Sequence, residues 1–583
     1  MAGTEVSPAK AILLAVQLSR KKDISTLRTL LAQHPKTLHL QLVLRILLTH
    51  LPETVESSKY VPLLRDLVSG EIAEDSNHPV NPYTLADLSE EEAQKKVRRL
   101  HLLHLKWPYA PEDDPKDPLV SFLILRACRI DNSTGLINEL PGLLGPFLHL
   151  SSYLRTWMIS TVLPLVRLNY EYHPGIVTIL TLSEFELLED KAGISLLLAQ
   201  TGQDRAEGDT SGVGRDLRGL IGPWMHGDTR WKRRKLRKNS GIRMQLVTPL
   251  DDSPVANERC IGWEGVFQWI TEKAVKSWKT AVEAVEEWDG PGDSDLGVYG
   301  DGVMWLDEND QQYLERRYAR AAIASAYLIS EESVDALNGV HRILTRIVTL
   351  MDQDRITTLQ AAAALLSPVS GLDEIVSAKN AMYLRNDLLG EQNTLTSPKE
   401  ISIRLLHALL VSTYLCMRTG LKFTIRRAGE LVLHQDEADQ RREFARLILS
   451  VANGPKEDDK YWVRVRNEIL WLRSWGAEEL SEGAGLDDFS GKGIFGKLSK
   501  DHVEAEILKT LLKNESKSFD TFTPHALTGL GYSLANSIYE ASSDRPLSKQ
   551  ALVEAVISAA MNAYDNATNP NRTRGGIKRC SDM

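Results

Sequence analysis

Apolar residues recur at helical spacing along almost the whole of this chain, and strand-like alternation is nearly absent. Ala11 to Leu18 shows the pattern first. Asp23 is placed to cap a helix over Ile24 to Gln33, which Pro35 ends. Thr37 is placed to cap the next run, where Leu38, Leu42, Ile46 and Leu47 fall near one face. The pattern returns over Leu119–Ile130, Ser152–Val166, Ala319–Ile329, Val334–Met351, Ile401–Met417 and Glu437–Ala452. It continues over Lys460–Trp475, His502–Leu512, Tyr532–Tyr539 and Lys549–Ala563. Short connections make neighbouring helices antiparallel. Val177 to Leu182 is β-branched but short and lies between helical segments. No strict repeat period is visible, which excludes tetratricopeptide and ankyrin arrays. The expected fold is all-α: an elongated, irregular α-solenoid of antiparallel helix pairs.

Three stretches interrupt the pattern. Residues 70–95 are acidic, 201–260 are rich in Gly, Arg and Asp, and 289–302 read as a Gly/Asp-rich linker. Connections this long are functional or disordered as a rule. The chain is therefore divided into an N-terminal helical arm over 1–200, a Gly/Arg-rich insertion over 201–260 and a second helical arm over 261–583.

Composition narrows the function classes. With 69 basic and 78 acidic residues the net charge is −9, which gives no basic footprint for nucleic acid. The cysteines are Cys128, Cys260, Cys416 and Cys580, with no CxxC pair, so neither a zinc site nor a disulfide framework is indicated. Cys128 and Cys416 sit in apolar runs and read as small buried hydrophobes. The N-terminus lacks the pattern of a signal peptide. The Leu140–Leu154 run is too short for a membrane span and carries Pro141 and Pro146. The sequons at Asn132, Asn514, Asn566 and Asn571 read as chance matches.

Several patterns resemble chemistry without completing it. Gly491 to Lys497 has Walker-type glycine and lysine spacing, but Leu498 stands where a magnesium-binding hydroxyl belongs. Gly212 to Gly219 lacks the third-glycine offset of a dinucleotide loop. Asp293 and Asp295 fit the start of a calcium loop, but Gly297 and Val298 break it, so a solvated linker is expected. His502-Val-Glu504 opens like a zinc deaminase motif, but the cysteine pair is missing. Arg230 to Lys238 is the densest basic run; it could be a nuclear address, a phosphate-lipid contact or an acidic-partner site, and a solvated face is its plain reading. Trp224 nearby and Trp231 within it could anchor a contact, whereas Trp263 and Trp269 read as packing. No catalytic, cofactor-binding or metal-ligating residue is expected, and no nucleic acid or small-molecule substrate.

Other segments carry a family resemblance. They are Leu42 to Glu53 with Tyr60-Val-Pro-Leu, Arg215 to Met225, Gly493-Ile-Phe-Gly-Lys with Glu504 to Lys509 and Leu511, and the turn from Tyr564 through Arg574-Gly575-Gly576 to Lys578. In this order they resemble fungal members of the Sec39 family (neuroblastoma-amplified-gene protein in animals). The resemblance implies an elongated helical subunit of the Dsl complex, which tethers COPI vesicles returning from the Golgi to the endoplasmic reticulum. It implies a bridge between the vesicle-catching subunit and the N-terminal domain of an ER SNARE, peripheral to the cytosolic face of the ER membrane. Membrane association would then be indirect, through partners. The family's helical pattern continues past the closing turn, so this chain looks C-terminally truncated. The alternatives are another helical adaptor, such as a nuclear or coat scaffold, and a P-loop-like NTPase.

Overall fold

The computed structural model describes residues 6–72, 80, 88–108, 117–175, 180–202, 212–226, 256–300, 306, 308–351, 356–454, 458–476, 493–513, 530–542, 546–568, 572 and 575–582. Among the described residues every regular element is a helix, as the periodicity predicts.

Local chemistry explains where the helices begin. Ser7 accepts from the Lys10 amide at 3.4 Å and Pro8 opens the first helix, Pro8–Lys21. Asp23 accepts from the Thr26 amide at 3.0 Å and starts Ile24–Gln33, as expected. Thr37 does not cap the following helix. It lies in a turn closed by the Leu38 N–H on the His34 carbonyl, and Leu40–His50 starts after His39 with no side-chain cap. The acidic stretch after residue 70 is not a loop throughout. Ser89 and Glu92 form a reciprocal capping box that starts a helix over Glu90–Arg98. Val177 to Ile179 lie outside the described residues, and Leu182 begins the helix Leu182–Leu187.

The chain forms two compact units, Met1–Val266 with Gly290–Leu314, and Phe267–Asp289 with Glu315–Met583. In the first, Pro8–Lys21 packs on Ile24–Gln33 and Leu40–His50, and Leu40–His50 packs on Pro118–Thr134. Ile24–Gln33 packs on Ser57–Ser69. In the second, Val334–Leu350 packs on Trp278–Glu287 and on Glu400–Arg418. Lys500–Lys513 then packs on Asp459–Ser474, Leu530–Tyr539 and Lys549–Asp565. Helices close in sequence thus share each core, which is the solenoid principle in irregular form.

Aromatic residues fill these cores. Trp157 and Trp224 are fully buried in the first unit, and Trp288 and Trp475 in the second. The Trp288 and Tyr318 rings meet edge-on at 5.1 Å. Among the described residues one helix, Glu400–Arg418, is long and apolar enough to cross a membrane, yet most of it is buried inside the fold.

Candidate functional site

The residues that single this chain out converge on junctions between helices. At the first junction, Leu51 and Pro52 leave the Leu40–His50 helix with carbonyls pointing inward. Arg126 donates to both, at 2.7 Å each, from a fully buried position. Its guanidinium carbon lies 5.6 Å from the Tyr60 ring centroid. Arg129 pairs with Glu53 at 2.5 Å beside it. An extended segment runs alongside and is tied down by Arg45, which donates to the Leu102 and Leu103 carbonyls at 2.8 and 2.9 Å.

The second junction is built on Arg215 to Met225, expected above to lie in a loop. Residues 213–225 are continuous helix with a π-helical stretch over Leu217–Ile221. The π turn has a cause. Pro223 has no N–H for the carbonyl four residues earlier, Gly219, and its ring would clash with that carbonyl in a regular helix. The Gly219 carbonyl is satisfied instead by Arg167 Nη1 at 2.9 Å. A second π stretch, Met158–Val162, likewise precedes Pro164. Trp224 is fully buried, 4.4 Å from the Phe185 ring and closely packed on Gly193. It is therefore not available to anchor an external contact. Trp231 and the basic run Arg230 to Lys238 lie outside the described residues.

Arg167 also reaches the Gly/Asp-rich turn. Its Nη1 donates to the Asp295 carbonyl at 2.6 Å and its Nη2 to the Asp295 carboxylate at 2.9 Å. Arg218 pairs with Asp293 at 2.6 Å, and the Asp295 amide donates to the Arg218 carbonyl. Asp293 and Asp295 are thus ion-pair partners that clamp this turn onto the helix, not parts of a solvated linker. On the helix's other side Asp216 is buried and accepts from Thr201 at 2.9 Å, with His173 Nε2 at 2.8 Å. Burial raises the Tyr172 phenol, against the opposing charge of Arg167.

The third junction uses the Walker-like sequence. Gly491 and Lys492 lie outside the described residues. A phosphate loop must leave its amides free to cradle oxygen. Here the Gly493 N–H donates to the Arg473 carbonyl, Gly496 to Gly493, Leu498 to Phe495, and Lys497 to Gln440 Oε1. Ile494 and Phe495 are fully buried. A Cβ on Gly493 would run into the Leu472 carbonyl, so glycine is required by close approach rather than by a phosphate. Arg473 Nε completes the staple by donating to the Leu498 carbonyl at 2.8 Å. Next to it, the fully buried Glu504 is held by Arg466 Nε at 2.9 Å and by the Tyr539 hydroxyl at 2.8 Å.

At the closing turn, Lys549–Asp565 ends and Gly575–Asp582 begins, with Gly576 against the Ala563 carbonyl where a Cβ would not fit.

Sequence reasoning found the motifs but not their partners. Arg126, Arg167 and Arg473 carry three of the junctions, and none was singled out. Their only sequence signal is a charge inside an apolar helical run. Cys128 and Cys416 are buried as expected, and burial pushes the Cys128 thiol up to about 12. Among the described residues no group of His, Cys, Asp and Glu could hold a metal ion. At these junctions the side chains tie backbone segments of different elements together.

Comparison with curated proteins finds no match. The family model described as "Secretory pathway protein Sec39" matches residues 12–583, which includes all four junctions, and the chain belongs to the Sec39 family of secretory pathway proteins.

Proposed function

We propose that this chain is a non-enzymatic scaffold subunit of an ER tethering complex acting in Golgi-to-ER retrograde transport of COPI vesicles. It bridges the vesicle-catching subunit to the N-terminal domain of an ER SNARE, on the cytosolic face of the ER membrane. The observation that carries this reading is the family match over nearly the full length of the chain. The helical architecture supports it physically. Stacked helix pairs provide long surfaces without a reaction chamber. The distinctive residues are consumed in holding helix junctions, which is what a load-transmitting scaffold needs. Bridging works by effective concentration: two moderate contacts on one scaffold keep a captured vesicle near its SNAREs. Membrane attachment comes through the SNARE partner.

The test is affinity purification of the tagged chain from its own cells, followed by reconstitution with each recovered protein. Recovery of an ER SNARE and of other tethering subunits, each binding the purified chain directly, is the expected result. A folded bait that recovers neither, while retaining other partners, would sink the tethering role and favour a different helical adaptor.

A further inference from the structure

We infer that a cleft in the second unit is a docking site for an acidic peptide with an apolar anchor, presented by a protein partner. The cleft lies between the end of the Leu359–Leu365 helix and the start of Asp459–Ser474, and is an open groove of about 520 Å³. That is the size range of built ligand sites. Its wall is apolar, formed by Ala363, Leu366 and Val463. Leu366 adopts a left-handed conformation, φ 47°, which costs a side-chain-bearing residue free energy that glycine would avoid. Val463, in that wall, is still 41% exposed, and Leu365, beside Leu366 in the chain, is 66% exposed. The apolar wall is therefore open to solvent, which suits a chain lying across it better than an enclosed small molecule.

The polar side of the cleft is cationic and pre-arranged. Arg418 and Arg464 share one carboxylate, that of Glu468, whose side chain is only 4% exposed. Arg418 also lies 5.9 Å from the Tyr414 ring and Arg464 5.5 Å from the Tyr461 ring. Each guanidinium has five N–H donors in a planar fork, so donors remain for a ligand carboxylate after Glu468 is served. Lys460 adds a third cation at the rim, against the single surface carboxylate of Asp459. Two arginines held in place lose little freedom when an acid docks. The excess of cations selects an acidic segment, and the apolar wall selects one with a large apolar residue beside its acids. This site does not depend on the tethering reading.

The test is selection of displayed random octapeptides on the full-length chain, on a K460E/R464E chain and on an R441E chain, whose change lies outside the cleft lining. Both cleft positions lie on a helix surface, and circular dichroism checks that each variant is folded. The wild-type and R441E chains are expected to enrich peptides with acids flanking an apolar residue. A synthetic copy of the most enriched peptide should bind the double variant at least about tenfold more weakly by fluorescence anisotropy. A V463D variant should weaken the same peptide. Enrichment that is equal on wild type and K460E/R464E overturns the inference, as does enrichment of basic or purely apolar peptides. Retention of phosphatidylserine-containing vesicles through the same cations, with no peptide selected, assigns them to a lipid headgroup and also overturns it.

Discussion

Replacing Arg167 tests whether the π turn before Pro223 is held by a side chain from another helix. Arg167→Ala removes the donor to the Gly219 carbonyl, which is buried and has no proline N–H to return to. Leaving one buried acceptor unpaired costs about 1–3 kcal/mol. The bond to the Asp295 carbonyl is only part-buried, so water recovers some of it. The Asp295 carboxylate is half exposed, and its ion pair contributes about 1 kcal/mol or less. Together the loss is about 2–4 kcal/mol, concentrated at the 213–225 helix and the 290–300 turn.

A chain of two units does not unfold in one step, so a single global unfolding energy is the wrong readout. Native-state hydrogen exchange is the right one, because it reports local opening. Peptides covering 213–225 and 290–300 should exchange roughly 30 to 1,000 times faster in Arg167→Ala, from about 1.4 kcal/mol per tenfold. Peptides from Glu400–Arg418 should not change. The reasoning also fixes a second variant. In Pro223→Ala the restored N–H can serve the Gly219 carbonyl, so adding it to Arg167→Ala should recover about 1 kcal/mol. Exchange within about twofold of wild type at 290–300 in Arg167→Ala would refute the clamp. A double variant no better than the single one would refute the proline explanation of the π turn.

Three further outcomes follow from the same geometry. Gly493→Ala should destabilise the second unit by about 2–4 kcal/mol, because the new methyl meets the Leu472 backbone carbonyl, which has little room to move. His407 has its pKa lowered by burial and then by His341, so the unfolded chain binds the proton more readily. Its contribution to stability is therefore present above the ordinary value of 6.5 and is lost as pH falls from there through the lowered folded value; His407→Gln should flatten the rise in hydrogen exchange of Glu400–Arg418 peptides between pH 7 and pH 5.5, after correction for intrinsic exchange. Cys128 and Cys416 should resist iodoacetamide at pH 8 in the folded chain and label fully in urea, read by mass spectrometry, since burial raises both thiols.

What the sequence made legible was local. Asp23 caps its helix because the signal and the amide it serves are three residues apart. Thr37 carried the same signal and failed, because a backbone turn closing on His34 postponed the helix to Leu40. The Gly/Asp-rich stretch after residue 289 has the composition of a linker. Its partners are Arg167 and Arg218, 128 and 75 residues away, and no local pattern encodes such a pairing. Trp224 looked like an exposed anchor because it lies near a basic run, whereas its ring fills the space left by Gly193.

The family motifs were visible for a physical reason that also explains why binding sites were not. A helix packing through a broad apolar stripe tolerates many sequences of similar volume. A junction where a carbonyl meets a glycine, or where one arginine serves the ends of two segments, tolerates few. Gly493, Gly576, Arg126 and Arg167 hold such positions. They set the angle at which one helix pair hands over to the next, so a motif reading finds the joints of the scaffold. A docking surface such as the Arg418–Arg464 cleft is assembled from helices separated in the chain by dozens of residues. It has no signature spacing, and only the fold brings its cations and its apolar wall onto one face.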